Sequence, residues 1–591
     1  MTKHTDHPSA AAALIEFQHG LQAHQNGQLS IAQHHYAQAL ALHPHQFEAL
    51  HLSGVLAYQT GQLEQSVKLI ESALAIQTQD AAAHSNYGNT LLALQRNTEA
   101  LAAYERALQL QPHDANTHFN RGNTLHALGR FTDAIHAFDD ALKLNPKDAE
   151  AHYNRGNSLR QLQRYAEALQ SYNESIAIRP EYAPAAINRG ITLLDLKRPE
   201  EAIESFKFAI LIEPNSHEAY LNYGNTLRAI DRPDEALDCY AKAIARNPNY
   251  AEAYNNQGST LEALKRYNEA LASFSKAIAI QPQLASAHWN RALCNLRIGN
   301  FKEGWIEYEW RWKLDQFTSP QRNFSQPLWL GVESLTDKTI VIHSEQGFGD
   351  TILFCRYVPV VKQLGAHVVL EVEASLVELM QTLTGADQII AKNTPLPAFH
   401  YHCPLLSLPL ALGATINNIP NIYPYLSSTH EKTALWDRTL RPTTRKRIGI
   451  IWKGRPTHAN DRKRSINLAD LIALLPEAYE YISLQKDLNF EDIMTLTENP
   501  NIQNIGQSIN SFADTAAVCQ FMDAIISVDT SVAHLSSALN IPTGILLPEN
   551  PDWRWGLDDH KTYWYQTTRL IRNNKINKAE LNQYLSSLFS I

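Results

Sequence analysis

Eight glycines stand at a fixed step of 34 residues through the first half of the chain: Gly20, Gly54, Gly88, Gly122, Gly156, Gly190, Gly224 and Gly258. At the ninth step the register holds but the residue is Ala292. Other slots keep the same step. Small residues recur at Ala32, Ser66, Ala100, Ala134, Ala168, Ala202, Ala236 and Ala270, and the unit closes at Pro44, Thr78, Pro112, Pro146, Pro180, Pro214, Pro248 and Pro282. Between them falls a bulky slot, Tyr36, Ile70, Tyr104, Phe138, Tyr172, Phe206, Tyr240, Phe274 and then Tyr308. Glycine and alanine let two helices approach closely, and the aromatic is expected to fill the space between neighbouring pairs. Proline fixes φ and ends the second helix. A unit this short cannot bury its own apolar face, so the pattern predicts stacked helical pairs.

This pattern resembles the tetratricopeptide repeat, which implies an α-solenoid whose concave face binds an extended protein or peptide. A further ladder stands two residues before each glycine: Asn86, Asn120, Asn154, Asn188, Asn222, Asn256 and Asn290. A broken second ladder comes one residue after the glycine at Asn89, Asn123, Asn157 and Asn225. Asparagine is a mediocre helix former, so the recurrence has a reason. One reading is a hydrogen bond between neighbouring repeats; the other is an amide ladder gripping a peptide backbone, since Asn both donates and accepts. The ladder resembles that in the repeat superhelix of the O-linked N-acetylglucosamine transferase, which implies acceptor binding at these seven positions. The ninth unit, residues 286–317, has lost its glycine and gained Trp289, Trp305, Trp310 and Trp312, which marks it as the joint to the C-terminal half.

At 591 residues the chain calls for several domains. A net charge of −9 argues against a nucleic-acid partner. Five scattered cysteines without a CxxC pair suggest reduced, buried thiols and a cytoplasmic protein. The polar start, Met1–Pro8, gives no signal peptide, and no apolar window is long enough to span a membrane.

Past a connector at 319–335 the periodicity changes. Thr339–His343 and His367–Val372 read as strands flanking a glycine loop and a helical stretch, Thr351–Leu364. A second series starts with strand Arg447–Trp452 and continues through strands Tyr481–Leu484, Ala524–Val528 and Thr543–Leu547, with helices at Leu468–Leu475, Phe512–Phe521 and Ser531–Leu539. Alternating strands and helices predict α/β architecture with two Rossmann-like domains, 336–430 and 431–591, after a tail at 1–12 and a repeat array at 13–318.

Three segments carry the candidate chemistry. In Glu345–Asp350, Gly347 and Gly349 permit a tight strand-to-helix turn, and Asp350 is either a reactive carboxylate or only a helix cap. In Lys453–Ser465, five cations in a loop suit a diphosphate or simply face solvent. In Ser527–His534, Thr530 and Ser531 place hydroxyls and free amides where an anion is favoured, while Asp529 and His534 have bland readings as cap and packed ring. The segment Pro551–Trp555 flanks a cleft or plugs it. His400-Tyr-His402-Cys403 lacks a fourth metal ligand nearby, no DxD stands at a strand end, and no metal is expected.

In this order, EQGFGDTILFCRY (345–357), DRKRSINLADL (461–471), DTSVAHLSSALNIP (529–542) and LLPENPDWRW (546–555) resemble the heptosyltransferase-like glycosyltransferases, and especially members with an N-terminal repeat array. The resemblance spans essentially the whole chain and implies a two-domain GT-B fold. It implies a nucleotide-sugar co-substrate, no separate cofactor, and a metal-independent, inverting transfer. Asp350 would be the general base. Arg464, with Lys453 as the weaker candidate, would neutralise the diphosphate, held also by Thr530, Ser531 and His534, and Gly347, Gly349 and Asp529 would join these in binding the donor. Asn540 replaces a common glycine but tolerates the left-handed helix end. Two alternatives stay open: a scaffold with an inactive transferase-like half, and a transferase acting on a lipopolysaccharide-type glycan.

Overall fold

The structure is a computed structural model and describes residues 8–455, 461–572 and 578–589. It divides into two compact units, Met1–Pro248 and Asn249–Ile591.

The first unit consists of paired antiparallel helices, such as Ala115–Ala127 with Phe131–Leu144 and Ala183–Asp195 with Pro199–Ile212. Its first helix begins at Pro8, so the polar tail is shorter than the sequence suggests. Asp80, Asp114, Asp148 and Ser216 cap the first helix of their pairs through side-chain oxygens. Each pair turns through a left-handed residue, supplied by Gly27, Gly61 and Gly129 in three repeats and by Gln95, Gln163, Lys197 and Asp231 in four others. A histidine near the start of the first helix reaches back to the preceding turn: His84 to the Thr78 carbonyl, His118 to that of Pro112, His152 to that of Pro146.

The recurrent glycine has a different partner from the one its spacing suggests. The aromatic lies across the glycine of its own repeat. A methyl group on Gly190 would come within 2.6 Å of the Phe206 ring, and one on Gly88 within 2.6 Å of Tyr104. Both rings are fully buried. The tight slot is therefore within each pair, while Ala100, Ala134, Ala168, Ala202 and Ala236 are buried on the second helix.

The second unit opens with two more helical pairs, Ala251–Ala263 with Tyr267–Ile280 and Ala285–Arg297 with Phe301–Tyr308, ended by a tight turn at Glu309–Lys313. Two parallel sheets come next. The first holds β1 (Thr339–His343), β2 (His367–Val372), β3 (Gln388–Ala391) and β4 (Tyr401–Pro404), in the order β3-β2-β1-β4. The second holds β5 (Arg447–Ile451), β6 (Glu480–Ser483), β7 (Ile502–Asn504), β8 (Ala524–Val528), β9 (Thr543–Leu547) and β10 (Thr568–Arg572), in the order β10-β9-β8-β5-β6-β7. Central strands such as β8 and β9 are buried along their whole length, as parallel sheets covered on both faces require.

The last repeat is fused to this α/β body by aromatic packing. Trp305 meets Trp553 edge-on at 5.6 Å and Phe354 at 5.8 Å, and Phe301 stacks on Trp564 at 5.5 Å. Trp310 serves otherwise, stacking on His288 at 3.7 Å. Arg311, fully buried, pairs with Glu345 and Glu309 and donates to Ser407.

The close approach in the repeats yields a test. Gly190→Ala gains about 1 kcal/mol of helix propensity but overpacks Phe206, which costs about 1–3 kcal/mol. The variant should lower the urea midpoint with an unchanged slope, and Phe206→Leu should be less damaging on the Gly190→Ala background than alone.

Candidate functional site

At the ends of the strands of the two sheets lies a cleft of about 1090 Å³, to which the three segments converge. Gly347, Gly349, Asp350, Lys453, Arg464, Asp529, Thr530, Ser531 and His534 all line it. Open α/β sheets place ligands outside the carboxyl ends of their strands, and β1, β5 and β8 deliver these loops in that way.

After β1 the chain turns through Gln346, which takes the left-handed conformation (φ 59°); neither glycine does. Gly347 is the N-cap of Phe348–Phe354 in extended conformation. Gly349 has a steric reason: a methyl group there would sit 3.0 Å from the His534 ring. The tight strand-to-helix turn expected of the glycines is made by Gln346, and Gly349 lets two helices touch. The helix predicted over 351–364 is broken into Phe348–Phe354 and Val358–Gln363 by a tight turn.

Asp350 both caps and faces the cleft. Its Oδ2 accepts the Gly347 amide at 3.2 Å, and its Oδ1 pairs with the Arg554 guanidinium, which also holds Asp552 at 2.7 Å. Burial pushes the Asp350 carboxyl up, against the pull of Arg554. Asp529 is pushed up to about 6, first by burial and then by Asp552. These two carboxyls are thus shifted toward the range where proton transfer at neutral pH is effective.

Of the basic loop, Lys453, Arg455 and Arg464 line the cleft. Lys453 Nζ bonds both oxygens of buried Asp492, at 2.8 and 2.9 Å, so its charge is already matched and it forms wall. Arg464 lines the cleft and donates from Nη1 to the Asp529 carbonyl at 3.0 Å, with Nε 3.3 Å from Asp461. Residues 456–460 of the basic loop and the side chains of Arg462 and Lys463 lie outside the described residues.

Thr530 caps the helix Ser531–Ala538. His534 stacks on Trp555 at 4.9 Å, and its Nδ1 lies 2.9 Å from the Tyr565 hydroxyl. Burial holds its pKa down at about 3, so the ring is neutral. The tautomer that accepts from Tyr565 at Nδ1 carries its proton on Nε2. Asn540 is left-handed (φ 61°) where that helix ends.

The segment 551–555 does both things its composition allows. Trp553 and Trp555 are buried, and Asp552 and Arg554 line the cleft. The sequence gives Arg554 no role, although an arginine between two tryptophans is an unusual plug residue. Gln485, Asn510 and Ser511, in loops without a recognisable pattern, also line the cleft, as does Phe512 at the start of the helix Phe512–Cys519. His400, His402 and Cys403 take separate partners: the Thr339 amide, His343 and the Pro404 carbonyl.

Behind the cleft, Arg356 is fully buried without a carboxylate among its hydrogen-bond partners. It donates to the Leu353 carbonyl at 2.8 Å, the Tyr423 hydroxyl at 3.0 Å, the Tyr425 hydroxyl at 2.9 Å and the Trp564 carbonyl. The rings of Tyr423, Tyr425, Trp564 and Tyr565 surround its guanidinium.

In the first unit the asparagine amides bridge repeats. Asn120 donates to Asn89 at 2.9 Å, Asn154 to Asn123 at 2.9 Å, and Asn188 to Asn157 at 2.8 Å. Tyr104 and Tyr172 donate to the same acceptors, Asn89 and Asn157. Asn86 instead meets His51 at 3.0 Å, and Asn222 bonds its own helix at Glu218. In the second unit Asn290 donates to Asn255 at 3.0 Å, and Asn256 accepts from Asn255 at 3.4 Å. All seven are half-buried. The two ladders therefore interlock at Asn120, Asn154 and Asn188.

Tetratricopeptide-repeat models match residues 23–86, 88–129, 119–183, 183–216 and 215–283, so residues 23–283 are tetratricopeptide repeats. This part of the chain is a protein-interaction scaffold, suited to a peptide or protein partner. The chain is 24% identical over 304 residues to Protein FlbA of Caulobacter vibrioides, covering 47% of this chain and 50% of FlbA. It thus spans about half the length of that curated relative. Similar solved structures include YrrB, a TPR protein with an unusual peptide-binding site, at 28% identity and a TM-score of 0.27, covering 31% of this chain and 95% of YrrB. MamA is 25% identical with a TM-score of 0.27, covering 28% of this chain and 96% of MamA. A tetratricopeptide repeat protein from Parabacteroides merdae is 18% identical with a TM-score of 0.35, covering 42% of this chain and 99% of its own. Among the described residues no helix is long and apolar enough to cross a membrane.

A carboxyl with a raised pKa is protonated in the fold while the unfolded chain is ionised, so its contribution favours folding at low pH and is lost as pH rises through about 6. Asp529→Asn should therefore raise the melting temperature over wild type more at pH 8 than at pH 5. An equal gain at both pH values would contradict the shift.

Proposed function

We propose that residues 336–591 form a nucleotide-sugar-dependent glycosyltransferase, and that the repeats recruit a protein acceptor to it. The observation that carries this reading is the convergence of an acid with a raised pKa, an arginine and a helix N-terminus on one cleft: Asp350, Arg464 and Thr530–Ser531. The sequence resemblance assigns the same residues the same roles.

In this reading the acceptor's nucleophile attacks the anomeric carbon and its proton passes to Asp350. The bond from that carbon to the diphosphate oxygen breaks, and the electron pair leaves with the nucleoside diphosphate. Amides at the start of the helix Ser531–Ala538, Arg464 and the neutral His534 N–H stabilise the departing charge. No metal is assigned a role, and the protein would work in the cytoplasm, where nucleotide sugars are made.

The repeats fit an acceptor role because each amide spent between repeats leaves a side-chain oxygen as acceptor. Asn120, Asn154 and Asn188 donate through Nδ2. A second reading, a scaffold whose α/β half does not turn over, is favoured by the pairing of Asp350 with Arg554, which occupies the candidate base.

Two measurements decide. Asp350→Asn should lower sugar transfer by about 10²- to 10⁴-fold while nucleoside diphosphates still raise the melting temperature; unchanged biological function in the variant would favour the scaffold. Changing Asn120, Asn154 and Asn188 together to Ala should weaken acceptor capture and also lower stability. Changing Asn89, Asn123 and Asn157 instead removes the inter-repeat acceptors, so equal loss of capture in both sets would make the ladder structural only.

A further inference from the structure

Arg554 is the cation nearest the candidate base, and its surroundings suit exchange between partners. It is bound by Asp350 and Asp552 and lies over the Trp553 ring at 4.6 Å. Its Nε is shut off from solvent with no hydrogen-bond partner among the described residues. Asp529 and His534 both feel its charge, and these residues flank the start of the helix assigned to the diphosphate. Asp350, Asp529 and Asp552 thus line the cleft together with Arg554 and Arg464.

Resting on the glycosyltransferase reading, we propose that Arg554 is a ligand shared between Asp350 and the donor's diphosphate. The incoming diphosphate takes the guanidinium from the carboxylate and so frees the base for the acceptor. A guanidinium matches two phosphate oxygens in a fork, and a diphosphate carries more charge than one carboxylate. The transfer is local: Asp552 keeps one side of the guanidinium, and Trp553 backs its face. Asp350, stripped of its counter-ion in a buried site, then takes up a proton more readily. Donor binding would come before acceptor activation, and an acceptor arriving first would meet a carboxylate already engaged. The other titratable groups facing the pair are Asp529, Asp552, His534 and Tyr308.

The test is calorimetry of the full chain with UDP, GDP, ADP and CDP, in two buffers of different ionisation enthalpy. The wild type should bind one of these with net proton uptake that grows as pH falls from 8 to 6. Arg554→Gln should weaken that nucleotide by about tenfold or more and abolish the uptake, and Arg554→Lys should recover part of the affinity. Asp350→Asn, with no carboxylate left to compete for Arg554, should bind more tightly than wild type and without the uptake, which a merely structural loss would not produce. Melting curves verify that each variant folds. Nucleotide binding with unchanged affinity in both Arg554 variants, or uptake that persists in Asp350→Asn, overturns the shared-ligand proposal and leaves the transferase reading standing. No binding of any nucleotide by the wild type overturns the transferase reading, and this proposal with it.

Discussion

The buried guanidinium of Arg356 is the constraint on which the α/β unit depends. A buried charge without a carboxylate survives only if every donor finds an acceptor and the surroundings are polarisable. Here the acceptors come from 353, from 423 and 425, and from 564, segments that come after the first sheet's β1, its β4 and the second sheet's β9. One side chain therefore ties both sheets together behind the cleft. Tyr565, one of the surrounding rings, also lies against His534, so the tie reaches the cleft wall within two residues. The aromatic seam of Trp305, Trp553 and Trp564 attaches the last repeat to that frame. The helices that begin beside Asp350 and Thr530 are thus both held by this buried frame.

Much of this is legible in the sequence because periodicity reports packing. The repeat step places the helix pairs, and β2, β8 and β9 fall at the residues their apolar runs indicate. Short edge strands escape: β7 has three residues, and β10 comes after a run of polar and aromatic residues with no alternation. The motifs also gather as expected, since each comes directly after a parallel strand and such loops share one edge. Pairing between distant residues is not legible in this way. Lys453 looks like a free cation until Asp492, 39 residues on, is folded against it. Arg554 looks like part of an aromatic plug until its segment turns it toward Asp350. Pairings over such separations have no local signature.

The asparagine ladder shows the same limit from the other side. Its regularity signals a demand made on every repeat, but regularity does not distinguish cohesion from recognition. Nδ2 is committed between repeats in Asn120, Asn154 and Asn188. A side chain with one donor group and one acceptor can serve both purposes at once, and the geometry of one end fixes the orientation of the other.

The turns within the helical pairs have a consequence of their own. Glycine occupies the left-handed position in Gly27, Gly61 and Gly129, but Gln95, Gln163, Lys197 and Asp231 adopt it with side chains present. Each such residue carries about 1 kcal/mol or more of avoidable backbone strain. Because a stacked array sums its units nearly independently, that strain is distributed as separate local deficits. The array is therefore graded in local stability from turn to turn. The glycine-turned repeats carry none of that deficit, so each repeat's local stability depends on which residue makes its turn.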